Sequence, residues 1–459
     1  MATSADGPAA FIVLDRPESL AIARLILTVV TMLSLSRGTV AAQERPKAFV
    51  GATLLPISGP PIASGVIVVR DGKISAIGPE ASTSVPEDSE RIDLKGRVIM
   101  PGLVDTHSHV GGGSGADSSG PIQADVRILD SINVRDAGFR KARAGGLTTL
   151  NIMPGSGHLA SGQTVYVKLR DAETIEDIIY RDAAGNMLCG LKMANGTNSQ
   201  RNPPFPGTRA KSAALVRQKF LKADEYRQKL RLAAEDSEKR PDRDLEMESL
   251  VEVLDGTRVV HHHVHRADDI LTVLRLREEF GFEVVLHHAS EAWKVADQIA
   301  RAGVPCSVIV VDSPGGKLEM MDFSLATGAV LERAGVACAI HTDDPVTDSR
   351  LFLRTAALAV RAGMTRAKAL ESVTLAGAKM LRLEDRIGSL DVGKDADLIV
   401  LSGDPLSVQT KVLHTYVEGR KVFDRENPED RLFAVGGFGG SRDQFAEACC
   451  TAPAVEASR

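Results

Sequence analysis

Four histidines fill five positions in the stretch VVHHHVHRADDI: His261, His262, His263 and His265, in a chain that holds only 11. Neutral imidazole is the commonest protein ligand for metal ions, so the question is which of these side chains can share one site. On a strand, successive side chains alternate between the two faces. His261, His263 and His265 then share one face and His262 lies on the other. With the strand ending near His263, that residue sits at the rim, His261 lies deeper and His265 falls in the loop. His107-Ser108-His109 also places two imidazoles on one face, within reach of one ion. His287-His288 offers one inward side chain, and the end position favours His288. In HTDDP, His341 and Asp343 share a face, so an inward Asp343 could ligate a metal and serve as general base. Asp344 opposes them and suits a turn or N-cap before Pro345. Lys192, in GLKMA, reads either as a paired or snorkelling lysine or as a carboxylated lysine that bridges two cations.

Such a set needs a scaffold that gathers the ends of distant segments. Eight apolar strand-like runs are present, at 103–109, 147–153, 164–169, 188–194, 257–263, 283–288, 305–311 and 336–343, with helical patterns between most of them. This alternation predicts an α/β fold, a (β/α)8 TIM-like barrel over residues 101–385. Sites in such barrels form at the C-terminal ends of the strands, where the groups above fall. Residues 208–256 read as a charged, helix-rich insertion, either a solvated and salt-bridged face or a lid. Short β-like runs at 47–100 and 386–425 predict a small β-sandwich built from both ends of the chain. Asp71-Gly72 is a hairpin signal within it. Residues 426–459 read as a flexible tail.

The formal net charge of -5, the single tryptophan and the 4% aromatic content argue against a nucleic-acid partner. Cys189, Cys306 and Cys338 lie in apolar runs and read as buried thiols, and Cys449-Cys450 lies in the tail. No CxxC pair is present, so neither a disulfide framework nor a cysteine zinc site is expected. Near the start, Arg24 precedes an apolar core at 25–35, then small residues with Val40 and Ala42 at -3 and -1 from Gln43. This predicts a signal peptide over residues 1–42 and an exported, periplasmic or extracellular protein. An uncleaved anchor or a cytoplasmic location is the alternative. The core falls short of the ~20 residues of a comfortable membrane span.

Taken together, GRVIMPGLVDTHSH, AGGLTTLNIMPGSG, GLKMANGTN, HVHRADDI, HHASEAWKVAD, HTDDPVTD and GSLDVGKDADLIVL resemble the amidohydrolase superfamily, in its imidazolonepropionase-like branch. The resemblance spans roughly residues 47–425 and implies a metal-bearing barrel with a small β-sandwich. Carried over by position, the metal set is His107, His109, His263 and His288 with Asp343. Lys192 falls where binuclear members place a carboxylated lysine. The implied cofactor is one or two divalent ions, zinc first, with Fe, Mn, Co or Ni also suited to nitrogen and oxygen ligands. GSGHLASGQ departs from the glycine pair usual after strand two; the resemblance makes His158 and Gln163 substrate-facing.

The implied reaction is hydrolysis of a carbon–nitrogen bond in a cyclic or dipeptide-like amide. A bound Zn²⁺ lowers the pKa of its water to about 7. Asp343 takes the proton and passes it to the leaving nitrogen, and His265 stabilises the developing oxyanion. The partner is a small-molecule substrate, and a homo-oligomer is compatible with the sequence. A deaminase of the same fold is an alternative, but such members carry a glutamate soon after the strand-five histidine, and HVHRADD has none. A non-catalytic, assembly-forming homologue should have lost ligands, yet every expected position is occupied.

Overall fold

The computed structural model describes residues 45–113, 115–311 and 317–436. The leader, Cys449-Cys450 and most of the expected tail lie outside the described residues. Among these residues no helix is long and apolar enough to cross a membrane.

The two ends of the chain build one sheet. Its strands are β1 (Lys47–Leu54), β2 (Ile62–Arg70), β3 (Lys73–Pro79), β4 (Glu90–Asp93), β5 (Val98–Pro101) and, from the far end, three more. Those three are Leu398–Leu401, Val412–Val417 and Arg420–Asp424, and Leu398–Leu401 pairs antiparallel with β5. Asp71 and Gly72 both have positive φ and make the two-residue turn from β2 to β3, as a hairpin with right-handed twist demands. Phe49, Ile67, Ile99, Leu398 and Tyr416 form a buried cluster of this sheet.

Between the two ends lies the strand–helix alternation. The strands are β6 (Leu103–Ser108), β7 (Leu147–Ile152), β8 (Ala160–Gln163), β9 (Val165–Lys168), β10 (Gly190–Ala194), β11 (Val259–Val264), β12 (Val284–His288), β13 (Cys306–Ile309) and β14 (Cys338–His341). One sheet runs β6-β7-β9 and another runs β14-β13-β12-β11-β10-β8. Alternate strand residues such as Leu191, Val260, Leu286, Val308 and Ile340 join Ile270, Val273 and Ile299 of the flanking helices in one core.

The third strand departs from the expected all-parallel pattern. β9 runs antiparallel to β7, and β8 runs antiparallel to β10. The cause is the connection. Residues 153–159 separate β7 from β8 without a helix, whereas a parallel return needs a crossover of about a dozen residues or more.

The insertion is helical, with helices Arg209–Glu235 and Leu245–Leu254 capped by Thr208 and Asp244. Its outer face is charged, but its inner face is packed: the Phe220 ring stacks on Phe280 and Phe282 at 5.3 and 5.2 Å. The first residues of the expected tail form a helix, Pro428–Val435. Asn427 caps it, proline occupies its first turn and acidic residues follow, all of which favour a helix start. Phe433 then packs under the Arg140 guanidinium at 4.0 Å.

Lys168 explains the polar part of GKDADL. Its fully buried ammonium reaches Asp395, lies 3.0 Å from Asp397 and 3.4 Å from Glu418, and so ties β9 to the terminal sheet. Burial alone would discharge it, but Asp397 and Asp395 hold its pKa above the ordinary lysine value. Removing one partner of a buried pair strands the other charge. Lys168→Met should therefore cost about 3–5 kcal/mol, seen as a lower urea midpoint; a loss under about 1 kcal/mol would contradict a dry cluster.

Candidate metal centre

The residues expected to form a site converge at the C-terminal ends of β6, β10, β11, β12 and β14. Nε2 of His107 and of His109 lie 3.4 and 3.0 Å from Oδ1 of Asp343. Nζ of Lys192 lies 3.0 Å from Nε2 of His107. Nδ1 of His288 lies 4.0 Å from Oδ2 of Asp343, and the ring centroids of His263 and His288 are 4.4 Å apart. Strand alternation sorts the opening cluster as expected. His261 is paired in register with Lys192 and lies below the rim, where it meets Tyr166 Oη and His287. The rings of His263 and His265 adjoin, whereas the His262 ring contacts its own strand, at the His263 carbonyl.

Alternation fails at His287-His288. Both imidazoles belong to the cluster: ring centroids of His287 and His288 lie 5.1 and 4.8 Å from that of His107. The reason is the backbone, because His288 and Ala289 have φ of +64° and +46°. This left-handed turn ends the strand's two-residue period and swings the second ring to the side of the first. Such conformations cost about 1–3 kcal/mol each in non-glycine residues. Asp343 shares the feature, with φ +52°. Asp344 turns away to bind the following loop: its carboxylate accepts from the N–H and hydroxyl of Ser349, while Asp348 caps the short helix that begins there.

Other polar groups hold these side chains in place, and the sequence reading missed them. Asp105 accepts from the backbone N–H of His107 and of Thr342, so it clamps the β6 end to the β14 end. Burial lifts its carboxyl to about 7 against those hydrogen bonds. Thr106, Ser307 and Nδ1 of His341 form a relay of 2.6 and 2.8 Å contacts. Ser290 Oγ lies 2.8 Å from Nδ1 of His265. Asp105 sits two residues before His107, a spacing that could have drawn attention; Ser307 carries no such mark.

The buried imidazoles of the centre are neutral. Burial pushes His107, His263, His287 and His288 well below the ordinary histidine pKa, and neighbouring histidines and Lys192 push the same way. Burial also lowers Lys192 to about 7, so its amine is readily available uncharged. Burial would raise Asp343, but His109, His341 and Lys192 outweigh it and keep the carboxylate ionised.

This donor set fits a divalent cation. Both ring nitrogens of His263 are buried without a hydrogen-bond partner, as are Nδ1 of His107 and of His287 and Nε2 of His265. Leaving such atoms unpaired away from water is costly, and neutral imidazoles with a carboxylate are ligands of choice for zinc-like ions. Among the described residues, three groups bring their ligand atoms within 4.8 Å of one another: His107/His287/His341, His107/His109/Asp343 and His263/His265/Glu319.

The two expected substrate contacts turn elsewhere. Nε2 of His158 meets the Asp117 carbonyl at 2.6 Å and its ring lies against Phe205. The Gln163 amide donates to the Ala124 carbonyl at 3.1 Å. Gln163 is in register with Leu191, not Lys192, so it shares the face that looks away from the histidines.

Residues 180–423 match a family model described as "Amidohydrolase family". The chain belongs to that family. A solved amidohydrolase from Thermotoga maritima is 36% identical and superposes with a TM-score of 0.77, over 82% of this chain and all of that one. An amidohydrolase of Hapsidospora irregularis is 28% identical over 78% of the chain; the match spans 40% of that relative's length. An imidazolonepropionase of Micrococcus luteus is 26% identical over 74% of the chain and 88% of the relative.

The buried neutral imidazoles set a pH dependence. His261, His265 and His341 are held at about 3 and His262 at about 4, burial being the main cause in each. In the unfolded chain they titrate near 6.5. Between that value and their folded ones the unfolded state binds more protons, so stability falls as pH falls. Each adds at most about 1.4 kcal/mol per pH unit. The metal-free amidohydrolase should lose urea resistance from about pH 6.5 downward, with a slope of several protons; a midpoint unchanged to about pH 4 would contradict this.

Proposed function

We propose that this amidohydrolase is a metal-dependent hydrolase of carbon–nitrogen bonds whose substrate is a cyclic or dipeptide-like amide. The observation that carries it is the convergence of His107, His109 and ionised Asp343 beside a buried His263 with no partner on either nitrogen. The imidazolonepropionase relative supports a cyclic amide by its name.

The proposal includes closure of the strands into a (β/α)8-type barrel with its third strand reversed. Asp343 N–H donates to the His107 carbonyl at 2.9 Å and joins β6 to the end of β14, while Thr164 N–H donates to the Gly190 carbonyl at 2.9 Å on the other side. The expected leader supports export, and with it a scavenged or peptide-derived substrate.

His107, His109 and Asp343 would hold one cation, and His263 and His288 would complete the centre, with zinc the best match to the ligand types. Lys192, fully buried and with a depressed pKa, is suited to take up CO2 and present a carboxylate between them. A cation held there supplies an acidified water and a polarised substrate carbonyl. Asp343 does the proton work of the chain: ionised at neutral pH, it accepts a proton at its carboxylate and returns it to the departing nitrogen. The buried histidines exclude water from the reacting groups. The oxyanion role read for His265 requires its Nε2 to carry a proton, because Nδ1 is taken by Ser290.

Asp343→Asn should lower turnover by about 100- to 10,000-fold with an unchanged circular dichroism spectrum. Turnover is measured on N-acyl amino acids, Xaa-Pro dipeptides and cyclic amides with defined metals. Full activity in this variant, or full activity after exhaustive chelation, would overturn the mechanism.

A further inference from the structure

A cleft of about 800 Å³ opens between the barrel helices and the terminal sheet. Its walls come from the helix Ala137–Ala144, the loop after β14, the helix Phe352–Arg361, the turn at 405–412 and the end of the helix Pro428–Val435. That volume lies in the range of small-molecule sites. Asp344 lines it and Asp343 does not, so the cleft lies behind the loop whose other side serves the metal centre.

Five basic side chains line the cleft against two acidic ones. Both acids are already engaged. Asp344 accepts from Ser349, and Asp348 accepts from the Arg350 guanidinium at 2.9 Å. Lys141 also acts on both acids through its charge. Lys411 and Arg425 are left without a carboxylate partner among the described residues. Arg425 is half-buried, and its guanidinium donates to the Val412 carbonyl at 3.3 Å. Burial lowers its pKa and Arg431 lowers it further, so the charge it feels is another cation's. A partly desolvated guanidinium with no counter-ion is costly. An anion relieves that cost, and a carboxylate or phosphate can accept two parallel N–H donors from it.

The remaining lining is apolar and open to water. Val408 is 86% exposed, the most of any large apolar side chain described, with Val435 at 56% and Leu351 at 42%. All three line this cleft. Single exposed apolar side chains are ordinary. Three on one basic cleft describe a ligand with a charged head and an apolar body.

We propose that this cleft is a binding site for a small amphipathic anion, a carboxylate or phosphate monoester on an apolar chain. Arg425 and Lys411 hold the head, and Val408, Leu351 and Val435 cover the body. The site is separate from the metal centre and does not depend on the chemistry assigned there.

The test is calorimetric titration of the full chain, supplied with Zn²⁺, with octanoate and with octyl phosphate, and with 1-octanol as the uncharged comparison. The anions should bind at one saturable site, and the tighter of the two identifies the head. Arg425→Gln should weaken binding by about tenfold or more. Lys411→Gln and Val408→Ser change exposed side chains and serve if the first variant melts early; each should weaken binding several-fold. Turnover should be unchanged in both. Failure of either anion to saturate the wild type would overturn the proposal. So would binding that all three variants keep at wild-type affinity, as a carboxylate caught by the cation of the metal centre would give. Octanol that binds as tightly as the anions would remove the role of the head. Turnover that falls together with binding in Lys411→Gln and Val408→Ser would make the cleft part of the substrate site and end its separateness.

Discussion

The centre depends on keeping a crowd of imidazoles uncharged and out of water. His107, His261, His263, His287, His288 and His341 are all buried, and protonating any of them puts a charge beside others that can spread it to no solvent. Burial is the largest cause of the lowered pKa in every case. The same dryness that holds the rings neutral leaves their lone pairs available. It lowers the Lys192 pKa to about 7 and leaves Asp343 as the ionised carboxylate among them. Ligand chemistry and fold stability are therefore two consequences of one desolvation.

That arrangement has to be held against its own cost. The devices are small polar residues that bridge strand ends: Asp105 between β6 and β14, Thr106 and Ser307 behind His341, and Ser290 behind His265. Left-handed backbone at His288, Ala289 and Asp343 adds strain at the same rim, as expected where a site over-determines its residues. Lys168 performs the corresponding task on the far side, where it couples β9 to the terminal sheet through Asp395 and Asp397.

Much of this was legible in the residues. The period of two on VVHHHVHR separated His262 from its neighbours and put His261 below His263, because a strand admits only that alternation. His107-Ser108-His109 and the Asp343/Asp344 division followed from the same rule. The antiparallel third strand was hidden because its run looks like any other strand, and only the short connection before it dictates direction. Strand alternation points His287 away from His288; two residues with positive φ, His288 and Ala289, break that period, and neither is a glycine that could signal the turn. His158 and Gln163 were placed by resemblance to a loop motif from which this chain departs, and their hydrogen bonds lead to backbone carbonyls.

The sequence alone determined which side chains could be ligands, on which face of each strand most of them lie and that both chain ends serve one sheet. These are local matters, set by alternation, residue type and turn chemistry. The tertiary structure decided which ligand atoms meet, that His287 and His288 both join them, and that Glu319, unremarkable in its own segment, is brought against His263 and His265. Such meetings depend on the relative height and register of separate strands and on loops that no local period governs.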